Sequence, residues 1–318
     1  MKIKKYFYLL LVVTLLGACS ESSKVESKKP TLRFSVDVFA WFPDGKVIKS
    51  SPGDGIYFQA CVHPSGTSVI YAGNKSGPVR VWKTSFSDNQ PTALTPATSA
   101  SQHPSYSWDG RQIVFVSDRD TKNPPLKVEE LKATGLASRK VVYNVYIMDA
   151  DGSNVRQITS GSFLDQRPTF SPDGKYIAFV SNRTSKWWRI FVVPTDGSTA
   201  PRVLQSKGWG YRPWFSPDGD TIYFHTAVDG RHQMVKIPFG GGEPTPLAND
   251  DQGTSRGAWV DPKGEVLLMH SNRDGDWGIW ELPLAGGEPI RLIPPDYARA
   301  LHPSRAENGV ITFDFYKR

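Results

Sequence analysis

"RPTFSPDGKYIAFVSNRT" fills residues 167–184 and "RPWFSPDGDTIYFHTAVD" fills residues 212–229, so nearly the same stretch is written twice, 45 positions apart. A catalytic loop is seldom needed twice, whereas a building block is, and a fixed period marks repeat architecture. Aligning the turn glycines extends the series. "CVHPSG" ends at Gly66, "HPSYSWDG" at Gly110, "RPTFSPDG" at Gly174, "RPWFSPDG" at Gly219, "AWVDPKG" at Gly264 and "HPSRAENG" at Gly309. The spacings are 44, 64, 45, 45 and 45, which makes six copies, one of them carrying 19 extra residues.

Within a copy the order is constant: a short strand ("RPTF"), the turn "SPDG", an alternating strand ("YIAFVS"), a polar turn, a third strand ("WWRIFVV"), a "DGS" turn and a last short strand. Pro fixes φ, Asp caps its own turn and Gly takes the left-handed position, while the flanking alternation has period two. Each copy therefore predicts a four-stranded antiparallel meander. Helical character is confined to "LKVEELKA" (126–133), inside the insertion at 121–140. Four-stranded units at this period predict an all-β, six-bladed β-propeller over residues 32–318. A lone meander would leave two apolar faces and an open edge, so the blades pack in a ring and the ring has to close. The ends say how: "VITFDFYKR" supplies only the second strand of a last copy, and "FSVDVFAWFPDGKVIKSS" (34–51) reads like the third and fourth.

With 39% hydrophobic and 12% aromatic residues in 318, the chain has ample material for a core. The net charge of +7 includes Lys2, Lys4 and Lys5 of a leader and is spread evenly, which argues against nucleic acid as a partner. Residues 1–18 read as a signal peptide: a basic start, then an apolar run too short for a comfortable membrane span. The "LGAC" ending resembles the lipobox of bacterial lipoproteins, which implies cleavage before Cys19 and a diacylglycerol on its sulfur. Residues 19–31, polar and charged without an apolar face, predict a tether. Ser20 after the lipidated cysteine implies sorting to the periplasmic side of the outer membrane. Cys61, in "YFQACVHP", is read as a small buried residue rather than a nucleophile.

The copies "RPTFSPDGKYIAFVSNR" and "SYSWDGRQIVFVSDRD…YNVYIMDADGSNVRQIT" resemble the WD-like repeats of the TolB family, whose six-bladed propeller belongs to a periplasmic cell-envelope complex. The resemblance covers nearly all of residues 32–318 and implies the fold more strongly than an activity. TolB-type proteins carry an α/β domain before the propeller, where this chain has only the tether. Similar repeats precede the hydrolase domain of prolyl-oligopeptidase-like peptidases and build some oligogalacturonate lyases.

Strand alternation places the entry to every first strand on one face of the ring. In register, the first residues of the innermost strands are Gln59, His103, Arg167, Arg212, Gly257 with Arg256 beside it, and His302. Trp209 and Tyr211, in the loop "SKGWGYR", are expected at the same mouth. Convergent Arg, His, Trp and Tyr at a concave mouth suit an anionic or peptidic ligand. The competing reading is architectural, each Arg bonding carboxylates such as Asp165, or carbonyls of the next blade, to lock the ring. "GTSRG" (253–257) matches a serine nucleophile elbow, but the repeat consumes the residues that a hydrolase domain would need. Gln59, His103 and His302 fall on consecutive blades; with one donor per blade and arginines opposite, no metal site, cofactor or catalytic set is expected. His63, His225, His232 and His270 show no ligand spacing. The reading is a monomeric, lipid-anchored binding or scaffolding module for an envelope protein or peptide, or for cell-wall material. Its alternatives are a lyase or glycosidase on acidic oligosaccharides and an accessory subunit of a peptidase.

Overall fold

The repeat turn is where sequence becomes structure. In "SPDG" at 171–174 the Gly174 N–H donates to the Ser171 carbonyl at 3.0 Å with φ at +70°, and Asp173 accepts from the Ser171 hydroxyl at 2.6 Å and the Lys175 N–H at 3.0 Å. Each polar group of the turn is thus satisfied locally, and the chain reverses into the next strand.

The computed structural model describes residues 35–53, 55–75, 77–119, 142–184, 187–205, 208–228, 230–247, 253–297 and 299–317. The predicted signal peptide 1–18, the Cys19 anchor, the tether 19–31 and the insertion 121–140 lie outside them. In chain order the strands are β1 (Ser35–Trp41), β2 (Val47–Lys49), β3 (Ile56–Val62), β4 (Ser68–Asn74), β5 (Arg80–Ser85) and β6 (Pro91–Ala93). Then come β7 (Ser101–Tyr106), β8 (Gln112–Ser117), β9 (Asn144–Asp149) and β10 (Arg156–Gln157), followed by β11 (Asp165–Phe170), β12 (Tyr176–Ser181), β13 (Arg189–Pro194) and β14 (Arg202–Val203). The next set is β15 (Tyr211–Phe215), β16 (Thr221–Val228), β17 (Arg231–Pro238) and β18 (Thr245–Pro246). The last are β19 (Ser255–Val260), β20 (Val266–Ser271), β21 (Gly278–Pro283), β22 (Ile290–Arg291), β23 (Ala300–Arg305) and β24 (Ile311–Lys317).

Four sheets are separate antiparallel meanders: β7 to β10, β11 to β14, β15 to β18 and β19 to β22. The remaining strands form one eight-stranded sheet in the order β23-β24-β1-β3-β4-β5-β6, with β2 on β1. Inside it β1 pairs antiparallel with β24 from Ser35↔Lys317 to Trp41↔Ile311, whereas β1 and β3 meet at a single parallel bridge, Val36↔Ile56. The fold is an all-β propeller of antiparallel four-stranded blades. The first strands neighbour one another in a closed circuit, β3 to β7, β11, β15, β19, β23 and back to β3.

Alternation decides the packing. In β12, Ile177 and Phe179 join Val114, Val116, Val145 and Phe191 against the sheet before, while Ala178 and Val180 join Phe215, Ile222 and Phe224 against the sheet after. Every sheet face is therefore an interface, which is why "YIAFVS" is apolar on both sides. Polar bonds stitch the joint between the chain's two ends: buried Asp314 in β24 accepts the backbone N–H of Gln59 at 2.7 Å and of Ala60 at 3.1 Å, and Ser304 accepts the Val62 N–H at 2.9 Å. Trp187 and Trp188, written at the head of a third strand, both precede β13; Trp187 is half exposed, while Trp188 packs beside Tyr211.

Candidate functional site: the channel mouth

Each first strand is broken at one place. One extra residue bulges out of the antiparallel pairing, and its centre sits in the left-handed region: Gln59 (φ 62°), His103 (56°), Arg167 (53°), Arg212 (58°), Gly257 (76°) and His302 (58°). These are the positions that the repeat alignment brings together. A non-glycine residue held there costs about 1–3 kcal/mol. Glycine is the strain-free choice and occurs at 257, so the five other side chains are retained at a cost.

Gln59, His103, Arg167, Arg212 and His302 line one cavity of about 80 Å³. One turn of the pleat further along, Cys61, Ser105, Thr169, Trp214, Trp259 and Ser304 continue its wall, with the Trp214 and Trp259 rings 6.1 Å apart. Arg256 is not part of that lining; its guanidinium lies 4.9 Å over the Trp277 ring, and burial pulls its pKa down to about 10. Tyr211 and Trp209 build the adjoining wall, their rings stacked at 6.0 Å with Trp209 edged by His225 at 5.5 Å and His232 at 5.1 Å. Arg167 lies 5.6 Å over the face of Tyr211, which joins this wall to the cavity.

The architectural reading of the arginines fails at the carboxylate named for it. Asp165 is fully buried and taken by Arg183 Nη2 at 2.8 Å, the Ser181 hydroxyl at 2.6 Å and the Thr159 hydroxyl at 2.6 Å. Among the described residues no carboxylate pairs with the guanidinium of Arg167 or Arg212. Burial, and next the charge of Arg167, pull the Arg212 pKa well below its ordinary value.

Three titratable side chains on second strands complete the site. His225 pairs across from Tyr211, His270 from Arg256 and Asp314 from Leu301, where the other blades place Ala72, Val116 and Val180. Sequence reasoning passed over them because a lone His has no ligand spacing. The signal was their register: His225 and His270 stand six residues after Gly219 and Gly264, the position of Val180 after Gly174. Gly257 N–H donates to His225 Nδ1 at 3.3 Å, His302 Nδ1 bonds Asp314, and the His270 and His302 rings meet edge to face at 5.3 Å. Burial first, then the nearby guanidiniums of Arg167 and Arg212, hold His103, His270 and His302 well below the usual histidine range; at His225 the neighbouring His232 adds to burial. Burial pushes the Asp314 carboxyl up to about 7, against the pull of the Gln59 and Ala60 N–H groups and the two arginines. The Nδ1 atoms of His103 and His270 are buried without a hydrogen-bond partner.

The elbow-like "GTSRG" is no elbow. Ser255 is buried in β19, its hydroxyl on Ser271 at 3.2 Å. Cys61 is buried in the channel wall, and burial raises its thiol to about 11, which keeps it un-ionised at neutral pH. His63 stays at its turn, 4.9 Å from Tyr106.

No family model matches the chain. A TolB homologue of Chlorobium chlorochromatii is 30% identical over 141 residues, 37% of this chain and 32% of that protein; one from Chlorobium luteolum is 26% identical over the same shares. The chain thus matches about a third of the length of these curated relatives. Among solved structures, a TolB of Agrobacterium tumefaciens superposes with a TM-score of 0.69 at 15% identity, covering 90% of this chain and 99% of that one. An oligogalacturonate lyase of Vibrio parahaemolyticus gives 0.60 at 12% identity over 88% and 83%, a likeness of fold. Among the described residues no helix is long and apolar enough to cross a membrane. Repeat, sheet order and these likenesses together make the chain a β-propeller similar to TolB proteins.

Proposed function

We propose that this protein is a periplasmic, lipid-anchored binding module whose six-bladed ring presents the channel mouth to an acidic segment of an envelope protein. The eight-stranded sheet counts as two blades in this reading, β23-β24-β1-β2 and β3 to β6. Cys19 carries the lipid, and the tether keeps the ring near the membrane on the periplasmic side of the outer membrane. One observation carries the ligand reading: Arg167 and Arg212 stand in strained backbone at a shared cavity, and among the described residues no carboxylate is in ion-pair contact with either guanidinium. Structural arginines bring their own partners, as Arg183 does with Asp165. Unpartnered guanidiniums beside stacked Trp209 and Tyr211 are instead what an incoming anionic peptide needs.

Charge reversal at both positions, Arg167→Glu with Arg212→Glu, is expected to abolish retention of a partner from detergent-solubilised envelopes while the melting temperature stays level or rises. Loss of retention together with a collapse of the melting temperature overturns the reading in favour of an architectural role. Turnover of uronate oligomers, dependent on His302 and its Asp314 neighbour, would favour the lyase reading, for which that buried pair supplies a base and its orienting acid.

A further inference from the structure

The cavity between the arginines says more about the ligand than its sign. Its volume of about 80 Å³ is far below the roughly 300–1,000 Å³ of pockets that enclose a whole small molecule. It has room for several waters, enough for one small anionic group entering from the mouth. The walls agree with that size. Trp214 and Trp259 line the channel beyond the arginines, and Arg212 Nη1 reaches across to Gly257, 3.4 Å from where a Cβ would be.

Charge narrows the choice further. Arg167 and Arg212 bring two positive charges, and Asp314, when ionised, removes one, which leaves the single charge that a monoanion cancels. A guanidinium fork matches the two oxygens of a carboxylate in one plane. His103 and His270 add buried Nδ1 atoms with no partner at the edge of this group.

We infer that the Arg167–Arg212 cavity is a seat for a single carboxylate, carried at the end of an extended peptide side chain or terminus and inserted from the mouth. This rests on the reading of the mouth as a ligand face, and it names the group that enters. A uronate would have to leave its ring outside the seat, and a phosphate dianion overcharges it.

The test uses the folded protein and simple probes at constant ionic strength: acetate, N-acetylglycine, N-acetylglycinamide, inorganic phosphate and galacturonate, read by melting temperature and calorimetry. Acetate and N-acetylglycine are expected to bind and to raise the melting temperature, whereas the amide, which lacks the charge, is not. A glutaryl monoamide arm against N-acetylglycine separates a side-chain source from a chain terminus. Arg167→Gln and Arg212→Gln are each expected to weaken acetate roughly ten- to hundred-fold, while Arg111→Gln, on the exposed turn of another blade, leaves it unchanged. Arg212→Lys keeps the charge but loses the fork, and is expected to bind acetate at least several-fold more weakly. The inference is overturned if acetate does not bind, if phosphate or galacturonate binds more tightly than acetate, or if the glutamine variants respond like the native protein. Acetate binding without retention of an envelope partner would uphold the seat and refute the wider reading. Partner retention without acetate binding would do the reverse.

Discussion

Arg212 and Gly257 meet across the channel: Nη1 of the guanidinium from β15 lies 3.4 Å from where a Cβ at 257 would stand, an ordinary contact distance. Gly257 also holds φ at +76° and brings that Cβ position within 3.1 Å of His270 Nδ1. Gly257→Ala is therefore expected to cost about 1–2 kcal/mol for the left-handed alanine alone. The added methyl presses on His270 Nδ1 and only touches Arg212, so acetate is expected to bind with little change. Denaturant unfolding and calorimetry on one sample check both, and a large loss of acetate affinity would show that Arg212 depends on the gap.

Removing either channel arginine should stabilise the ligand-free protein. Arg167→Gln or Arg212→Gln relieves the repulsion between the two guanidiniums and the cost of holding Arg212 away from water. The gain is expected on the order of 1 kcal/mol, about 2 °C in a chain of this size. A fall in melting temperature would mean that the arginines make structural bonds instead.

Asp314 should behave in the opposite way. Asp314→Ala leaves the buried N–H groups of Gln59 and Ala60 without their acceptor. At about 1–3 kcal/mol for each unsatisfied group, the loss is expected near 2–6 kcal/mol. Hydrogen exchange at Gln59 and Ala60 should accelerate more than exchange in β12, and equal acceleration would show that the joint is not where the ring opens.

The buried histidines and Asp314 pull the pH dependence of stability in opposite directions. His103, His225, His270 and His302 are held below their ordinary pKa of 6.5, so the stability they contribute is present above pH 6.5 and lost as pH falls below it. Asp314, raised from 3.8 to about 7, contributes stability that is full below pH 4 and lost as pH rises through 7. Four histidines outweigh one carboxyl, so unfolding free energy is expected to fall from pH 7 to pH 5, more steeply in Asp314→Asn. Saturating acetate, by neutralising the arginines, should flatten that fall. Unfolding curves at each pH, with and without acetate, decide it.

Much of this was legible because the repeat writes its register into the turns. Once Gly66, Gly110, Gly174, Gly219, Gly264 and Gly309 are aligned, Gln59, His103, Arg167, Arg212, Gly257 and His302 follow by counting. Counting could not say which way a side chain turns after a bulge: Arg256, one residue before the left-handed Gly257, swings onto Trp277 and leaves the cavity to Arg212. Nor could alternation alone expose His225, His270 and Asp314. They sit where Val180 and Val116 sit in other blades, and only the closing of the ring turns that interior position toward the arginines.

The pairing of β1 with β24 joins Ser35 to Lys317, almost the two extremes of the described chain. During synthesis β1 therefore emerges before the other described strands and waits for β24 until the last strand is released. Contacts so distant in sequence make folding slow, and the waiting strand is an open edge able to pair with the wrong neighbour. Assembly of the ring is thus an event for the finished polypeptide, and a chaperone that shields an unpaired strand would decide the yield.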